Sequence, residues 1–312
     1  MNKMRVVATG VILSALACVL PSVAQQGDTA SAQTVVTVLP KGGEAPNLQQ
    51  QSLKVWADGK ESDVTQWQPL RGDRAGLEFV VLIDDSARSS IGLQLADLAK
   101  FIQAMPPTAL VGVAYMQNGR AAFAQNLTAD HALAAKAVRL TGGTPGSNAS
   151  PYFCLSDLAK HWPSQDPKNR REVLMVTDGV DRYDPRYDPE DPYLQAAITD
   201  SQKAGLIVYS IYFRDTGRFD STNYQTNAGQ NLLTQLTQAT GGKLYWQGLS
   251  NPVSFQPFLE DLSKRLENQY ELGFTARAKP KAELVQLKIK TDVSHVSIDA
   301  PQRVPVGASQ QN

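Results

Sequence analysis

The sequence predicts an α/β protein with a doubly wound, mostly parallel sheet, helices on both faces, and a small β extension from N- and C-terminal strands. Three observations predict it. Phe79-Val80-Val81-Leu82-Ile83 and Val173-Leu174-Met175-Val176 are short apolar runs rich in β-branched residues, as in strands buried on both faces. Between Leu77 and about Asn268, such runs alternate with segments of helical spacing. Beyond Asn268 the helical spacing stops and only strand-period segments follow.

Residues 1–24 read as a secretory signal peptide. Lys3 and Arg5 precede an apolar run from Val6 to Leu20, and small residues end at Ala24. Pro21 cuts the run short of the ~20 apolar residues of a spanning helix, so no transmembrane anchor is expected after cleavage. Cys18 does not lie in a lipoprotein box. Cleavage removes Lys3 and Arg5 and no acid, leaving 28 basic against 30 acidic residues. That balance points to no nucleic-acid partner. The mature chain keeps one cysteine, Cys154, expected as a buried, inert thiol on a helix. The expected compartment is the periplasm or the exterior.

Residues 25–33 are small and polar and read as a disordered leader. Residues 34–74 form an N-terminal β segment, with strands at Thr34–Leu39 and Leu53–Ala57 and a turn at Asp58-Gly59 returning through Val64–Trp67. This piece is too small for a core of its own. Residues 75–268 carry the alternating pattern. Ile91, Leu95, Leu98 and Ile102 mark its first helix, and Met105-Pro106-Pro107 ends it. Leu110–Met116 is a strand, and Ala121–Ala124 pairs with it across Asn118-Gly119. Helices follow around Asp130–Val138 and Tyr152–Trp162, then the strand ending at Thr177-Asp178, and a strand at Leu206–Phe213. A helix through Leu232, Leu233 and Leu236 is closed by Gly241-Gly242, and Leu244-Tyr245-Trp246 is the last strand of the sheet. A final helix aligns Phe255, Phe258, Leu259, Leu262 and Leu266. Residues 269–304 form a C-terminal β segment whose partners are the N-terminal strands, and 305–312 are a loose tail.

Both central apolar runs stop at an aspartate beside hydroxyls, where open α/β sheets bind ligands. Asp84 and Ser86 follow the first, Thr144 lies in the Gly142-Gly143-Thr144-Pro145 loop, and Asp178 follows the second. Oxygen donors of this kind suit a hard cation such as Mg²⁺ or Mn²⁺ rather than zinc. In this order, Asp84-x-Ser86, Thr144 and Thr177-Asp178-Gly179 resemble the von Willebrand factor A (VWA) domain and its metal-ion-dependent adhesion site. Thr240-Gly241-Gly242, Leu53–Lys60 before the domain and Gln269–Phe274 after it are similar to an exported bacterial subgroup framed by β segments. The resemblance implies Asp84, Ser86, Thr144 and Asp178 as metal-site residues. It also implies a protein partner that completes the ion's shell with a carboxylate.

One position departs from the pattern. Arg88 stands where the family has a second metal-binding serine. A guanidinium accepts no hydrogen bond and stays charged. Pointing inward, it repels a divalent ion by roughly 7 kcal/mol at about 5 Å and an effective dielectric of about 20. Arg88 is therefore expected to weaken the metal, or to take its place against Asp84 or Asp178. The bland arrangement turns Arg88 to solvent and lets Ser89 or Ser90 substitute.

Other features carry plain readings. Asp181, Asp184, Asp188, Glu190 and Asp191 either shape a binding surface or lead a loop into a helix N-terminus. His131, His161 and His295 are scattered over two helices and a strand; Arg71-Gly72-Asp73 and the sequons at Asn126 and Asn148 are short matches of little weight. No nucleophile elbow, phosphate loop or dinucleotide fingerprint is present, so the chain is read as a non-enzymatic binding module. The alternatives are a metal-independent assembly module of the cell envelope and, less favoured, a metal-assisted hydrolase.

Overall fold

In the computed structural model the described residues are 29–42, 48–87, 89–142, 150–166, 168–181, 183, 188–214, 223–248, 250–279 and 281–307. The signal peptide, Arg88, Thr144, Asn148 and Asp184 lie outside them.

The central strand is β5 (Leu77–Asp84), all eight residues of which are buried. It pairs in parallel with β6 (Ala109–Gln117) on one side and β8 (Arg170–Thr177) on the other. Beyond β8 lie β9 (Leu206–Tyr212) and the short β10 (Leu244–Tyr245), both parallel. Beyond β6 lies β7 (Arg120–Thr128), antiparallel across the Asn118-Gly119 turn. The sheet order is β10-β9-β8-β5-β6-β7.

Alternate side chains of β5 feed two different cores, which is why the strand reads as one continuous apolar run. Phe79, Val81 and Ile83 pack with α1 (Leu95–Gln103), α2 (His131–Lys136) and α6 (Gln256–Glu267). Val80 and Leu82 pack with α3 (Pro151–Lys160), α4 (Pro192–Lys203) and α5 (Asn223–Thr240). Ile91, expected at the head of α1, sits instead on a separate 3-10 turn, Ser89–Leu93. The α5 C-terminus is a Schellman cap: Gly242 N donates to Thr237 O (2.8 Å) and Gly241, at φ +84°, to Gln238 O (3.4 Å).

The remaining strands form two antiparallel sheets around a third core that includes Val36, Val55, Leu272, Phe274, Val285 and Val304. One sheet has the order β13-β1-β11-β4, from β1 (Thr29–Pro40), β4 (Val64–Pro69), β11 (Gln269–Arg277) and β13 (Val296–Asp299). The other is β14-β12-β2-β3, from β2 (Leu53–Ala57), β3 (Lys60–Ser62), β12 (Glu283–Thr291) and β14 (Arg303–Val306). The two ends of the chain thus supply each other's partners.

Four further expectations need correction. Thr29–Gln33, read as disordered leader, is strand, because β11 offers it a full ladder from Thr29↔Arg277 to Gln33↔Gly273. Pro305 and Val306, placed in the loose tail, belong to β14, where Val306 is buried. The Asp58-Gly59 hairpin returns through Lys60–Ser62, while Val64–Trp67 crosses to the other sheet and pairs with β11. His295 lies in a turn at φ 61° and not in a strand.

Candidate functional site

The ends of β5 and β8 lie side by side, since Ile83 pairs with Val176. This register brings Asp84 next to Thr177, and both are buried. Asp84 Oδ1 accepts from Ser86 N (2.9 Å) and Ser86 Oγ (2.6 Å), while Oδ2 accepts from Thr177 Oγ1 (3.1 Å). Ser86 spends its proton on Asp84, so its oxygen lone pairs remain for a further partner.

Asp178 is 6% exposed, and its Oδ1 accepts from Val180 N at 3.0 Å. Gly179 stands at φ +68°, where a Cβ would lie 2.6 Å from Leu233 Cγ and 2.7 Å from Gly229 O on α5. Glycine is therefore required at this turn twice over, by conformation and by close approach. Its amide donates to Thr177 Oγ1 (3.2 Å), so Thr177 ties its own turn as well as the neighbouring strand.

Two clamps flank these residues. Asp85 points the other way from Asp84 and accepts from Gln117 Nε2 (2.6 Å), Arg139 Nη1 (3.0 Å) and Gly142 N (3.0 Å). Burial pushes the Asp85 carboxyl up, but the Arg139 hydrogen bond and the two amide donors outweigh it and hold it below the usual value. Arg139 also covers the Tyr115 ring at 3.9 Å, and Thr141 Oγ1 donates to Ala87 O (2.7 Å). These contacts seat the chain entering the loop of Thr144. At the loop's far end Ser150 caps α3, its hydroxyl donates to Asp181 Oδ2 (2.9 Å), and Tyr152 Oη donates to Gly179 O (2.8 Å).

Of the five residues singled out by sequence, Asp84, Ser86 and Asp178 stand on adjacent strand ends, while Thr144 and Arg88 are outside the described residues. In the sequence, Thr177 stands out only as part of the Thr177-Asp178-Gly179 motif. The clamp residues Asp85, Arg139 and Asp181 were not read as anchors; Arg139 lies 54 residues from Asp85, with no sequence signal to link them. Within the acidic loop, Asp191 caps α4 by accepting from Tyr193 N (2.9 Å) and Leu194 N (2.7 Å), as the helix-terminus reading expects. Cys154 is fully buried on α3, and burial pushes its thiol up to about 12.

The doubly wound sheet with one antiparallel edge strand, and the Asp-x-Ser turn beside a Thr-Asp-Gly turn, are the arrangement that the resemblance to the VWA domain implies. No protein-family model matches the sequence, nor does any curated protein. Among solved structures, an aerotolerance-related membrane protein from Bacteroides fragilis is 13% identical, with 61% of this chain and 98% of that one covered and a TM-score of 0.42. The SpRpn10 VWA domain is 14% identical, covering 60% of this chain and 93% of that one, with a TM-score of 0.36. The pilus adhesin SpaC from Lactobacillus rhamnosus GG, in its open conformation, is 9% identical with a TM-score of 0.46. There 87% of this chain is covered but only 49% of the adhesin, so the chain spans about half its length.

Proposed function

We propose that the chain is an exported, non-enzymatic protein-interaction module that binds its partner at the Asp84–Asp178 edge of the sheet. The observation that carries this reading is the Asp84 carboxylate held by Ser86 and Thr177. It pre-organises a hydroxyl acceptor and two carboxylates at the sheet edge where ligands bind. The donors at these strand ends are all oxygen. A hard cation is thus the ion that fits. Ser86 would touch it directly, with Asp84 and Asp178 supplying charge and Thr144 a second hydroxyl. A bound Mg²⁺ or Mn²⁺ would offer an open position to a carboxylate of the partner, and Arg88 would weaken that ion. No helix among the described residues is long and apolar enough to cross a membrane.

The second reading, a metal-independent envelope assembly module, is favoured by Arg88 alone. Affinity capture from envelope extract with the mature chain, with and without chelator, separates the two. The metal-dependent reading expects a partner that is lost with chelator and with Asp178→Ala. A partner retained in chelator but lost with Asp178→Ala selects the second reading. Capture indifferent to Asp178→Ala removes both.

A further inference from the structure

The outer face of the β14-β12-β2-β3 sheet carries charge that the sheet-edge site does not use. In β12 the side chains of Val285 and Leu287 turn into the core, so Leu284, Gln286, Lys288 and Lys290 turn outward. In β2 the outward residues are Lys54 and Trp56, between buried Leu53, Val55 and Ala57. The register sets Lys290 directly opposite Lys54 and Lys288 directly opposite Trp56. Arg303 lies opposite Gln286 and Pro305 opposite Leu284. Glu61 lies opposite Trp56 on the other side, Asp58 bonds the backbone of Gln286, and Asp63 follows one residue after Ser62.

Lys54, Lys288, Lys290 and Arg303 thus gather on one face of a chain of zero formal net charge. Lys54, Lys288, Lys290 and Arg303 are all exposed, and among the described residues none of the four is in an ion pair. Directly opposed like charges destabilise an antiparallel pair, so stability does not select Lys54 against Lys290. The lysines gather round the indole instead: Lys288 Nζ lies 6.0 Å and Lys290 Nζ 5.8 Å from the centre of the half-buried Trp56 ring.

We propose that this face docks on an anionic lipid surface. An indole set among lysines suits the headgroup level of a bilayer better than a single extended polyanion. Trp56, Leu284 and Pro305 supply the amphipathic and apolar contacts that settle at the headgroup level. The lysine stems lie along that surface while their ammonium groups reach the phosphates. On engagement the lysines exchange the indole face for lipid phosphate and leave Trp56 at the interface. The site at the ends of β5 and β8 takes no part, so the proposal is independent of the function proposed above.

Four cations against Asp58, Glu61 and Asp63 predict roughly 5-fold stronger partitioning onto anionic than onto neutral vesicles, falling as salt rises. The test is co-sedimentation of the mature chain with phosphatidylglycerol vesicles and with phosphatidylcholine vesicles. Binding to the former is expected. It should be lost in the Lys54→Gln/Lys288→Gln/Lys290→Gln variant, which relieves the lysine repulsion and so folds at least as well as the parent by thermal unfolding. A blue shift of tryptophan emission on binding should disappear in Trp56→Phe. Equal or absent binding to both vesicles, or anionic binding unchanged in the triple variant, overturns the proposal. So does binding of soluble polyphosphate without binding of vesicles, which would make the ligand a free polyanion.

Discussion

Thr177 Oγ1 donates to Asp84 Oδ2 at 3.1 Å, joining the last residues of two adjacent central strands. The same hydroxyl accepts from Gly179 N at 3.2 Å, so one side chain fixes both the carboxylate and the turn that carries Asp178. Thr177→Val keeps the shape and removes both bonds. Loss of ~1–3 kcal/mol is expected, because a buried carboxylate loses one donor and a buried amide its acceptor. Urea unfolding measures it, and an unchanged midpoint would show that the bond contributes nothing.

The Arg88 position makes a sharper prediction. Calorimetric titration of the mature chain with Mg²⁺ and Mn²⁺ is expected to show weak or no binding, and Arg88→Ser to show a gain. Micromolar binding by the parent chain would refute the repulsion argument and mean that a neutral donor such as Ser89 or Ser90 completes the site.

The Asp85 clamp has a pH signature. The Asp85 carboxyl is held below its ordinary value of 3.8 in the folded chain. A depressed folded value stabilises above pH ~4 and is lost as pH falls through it. Arg139→Gln should therefore flatten the acid limb of the stability curve and change stability less at pH 3 than at pH 7. Arg139 is 44% exposed, so the neutral-pH loss should stay modest, up to about 1 kcal/mol. Equal destabilisation at both pH values would assign the role of Arg139 to packing on Tyr115.

Cys154, fully buried and with its thiol pushed up to about 12, should take no alkylating label at pH 8 in the folded chain and react fully in denaturant. Rapid labelling of the native protein would place that face of α3 in exchange with solvent.

Export is checked by the mass of the natively purified protein. A chain beginning at Gln25 is expected, and an intact Met1 or a lipid on Cys18 would rule out cleavage after Ala24.

Much of the site was legible because its parts are local. Ser86 lies two residues from Asp84, and the Gly179 turn follows directly from the β8 run. The clamps were not, since Asp85 with Arg139 and Ser150 with Asp181 meet only after crossovers of 54 and 31 residues. The N-terminal boundary failed for a similar reason. Ala30, Ser31 and Ala32 have no strand propensity of their own, and only pairing with β11 at Ala276, Thr275 and Phe274 makes them one.

The sequence by itself determined the α/β class, the two strand ends that bear the acids, and the alliance of the N- and C-terminal strands. Hydrophobic period and turn chemistry act over a few residues, and those features are written at that range. The tertiary structure alone decided that Thr177 bonds Asp84, that Arg139 bonds Asp85, and that Lys54 stands opposite Lys290. Each depends on strand register, which long-range packing sets and where a slip of one residue would turn every side chain to the other face.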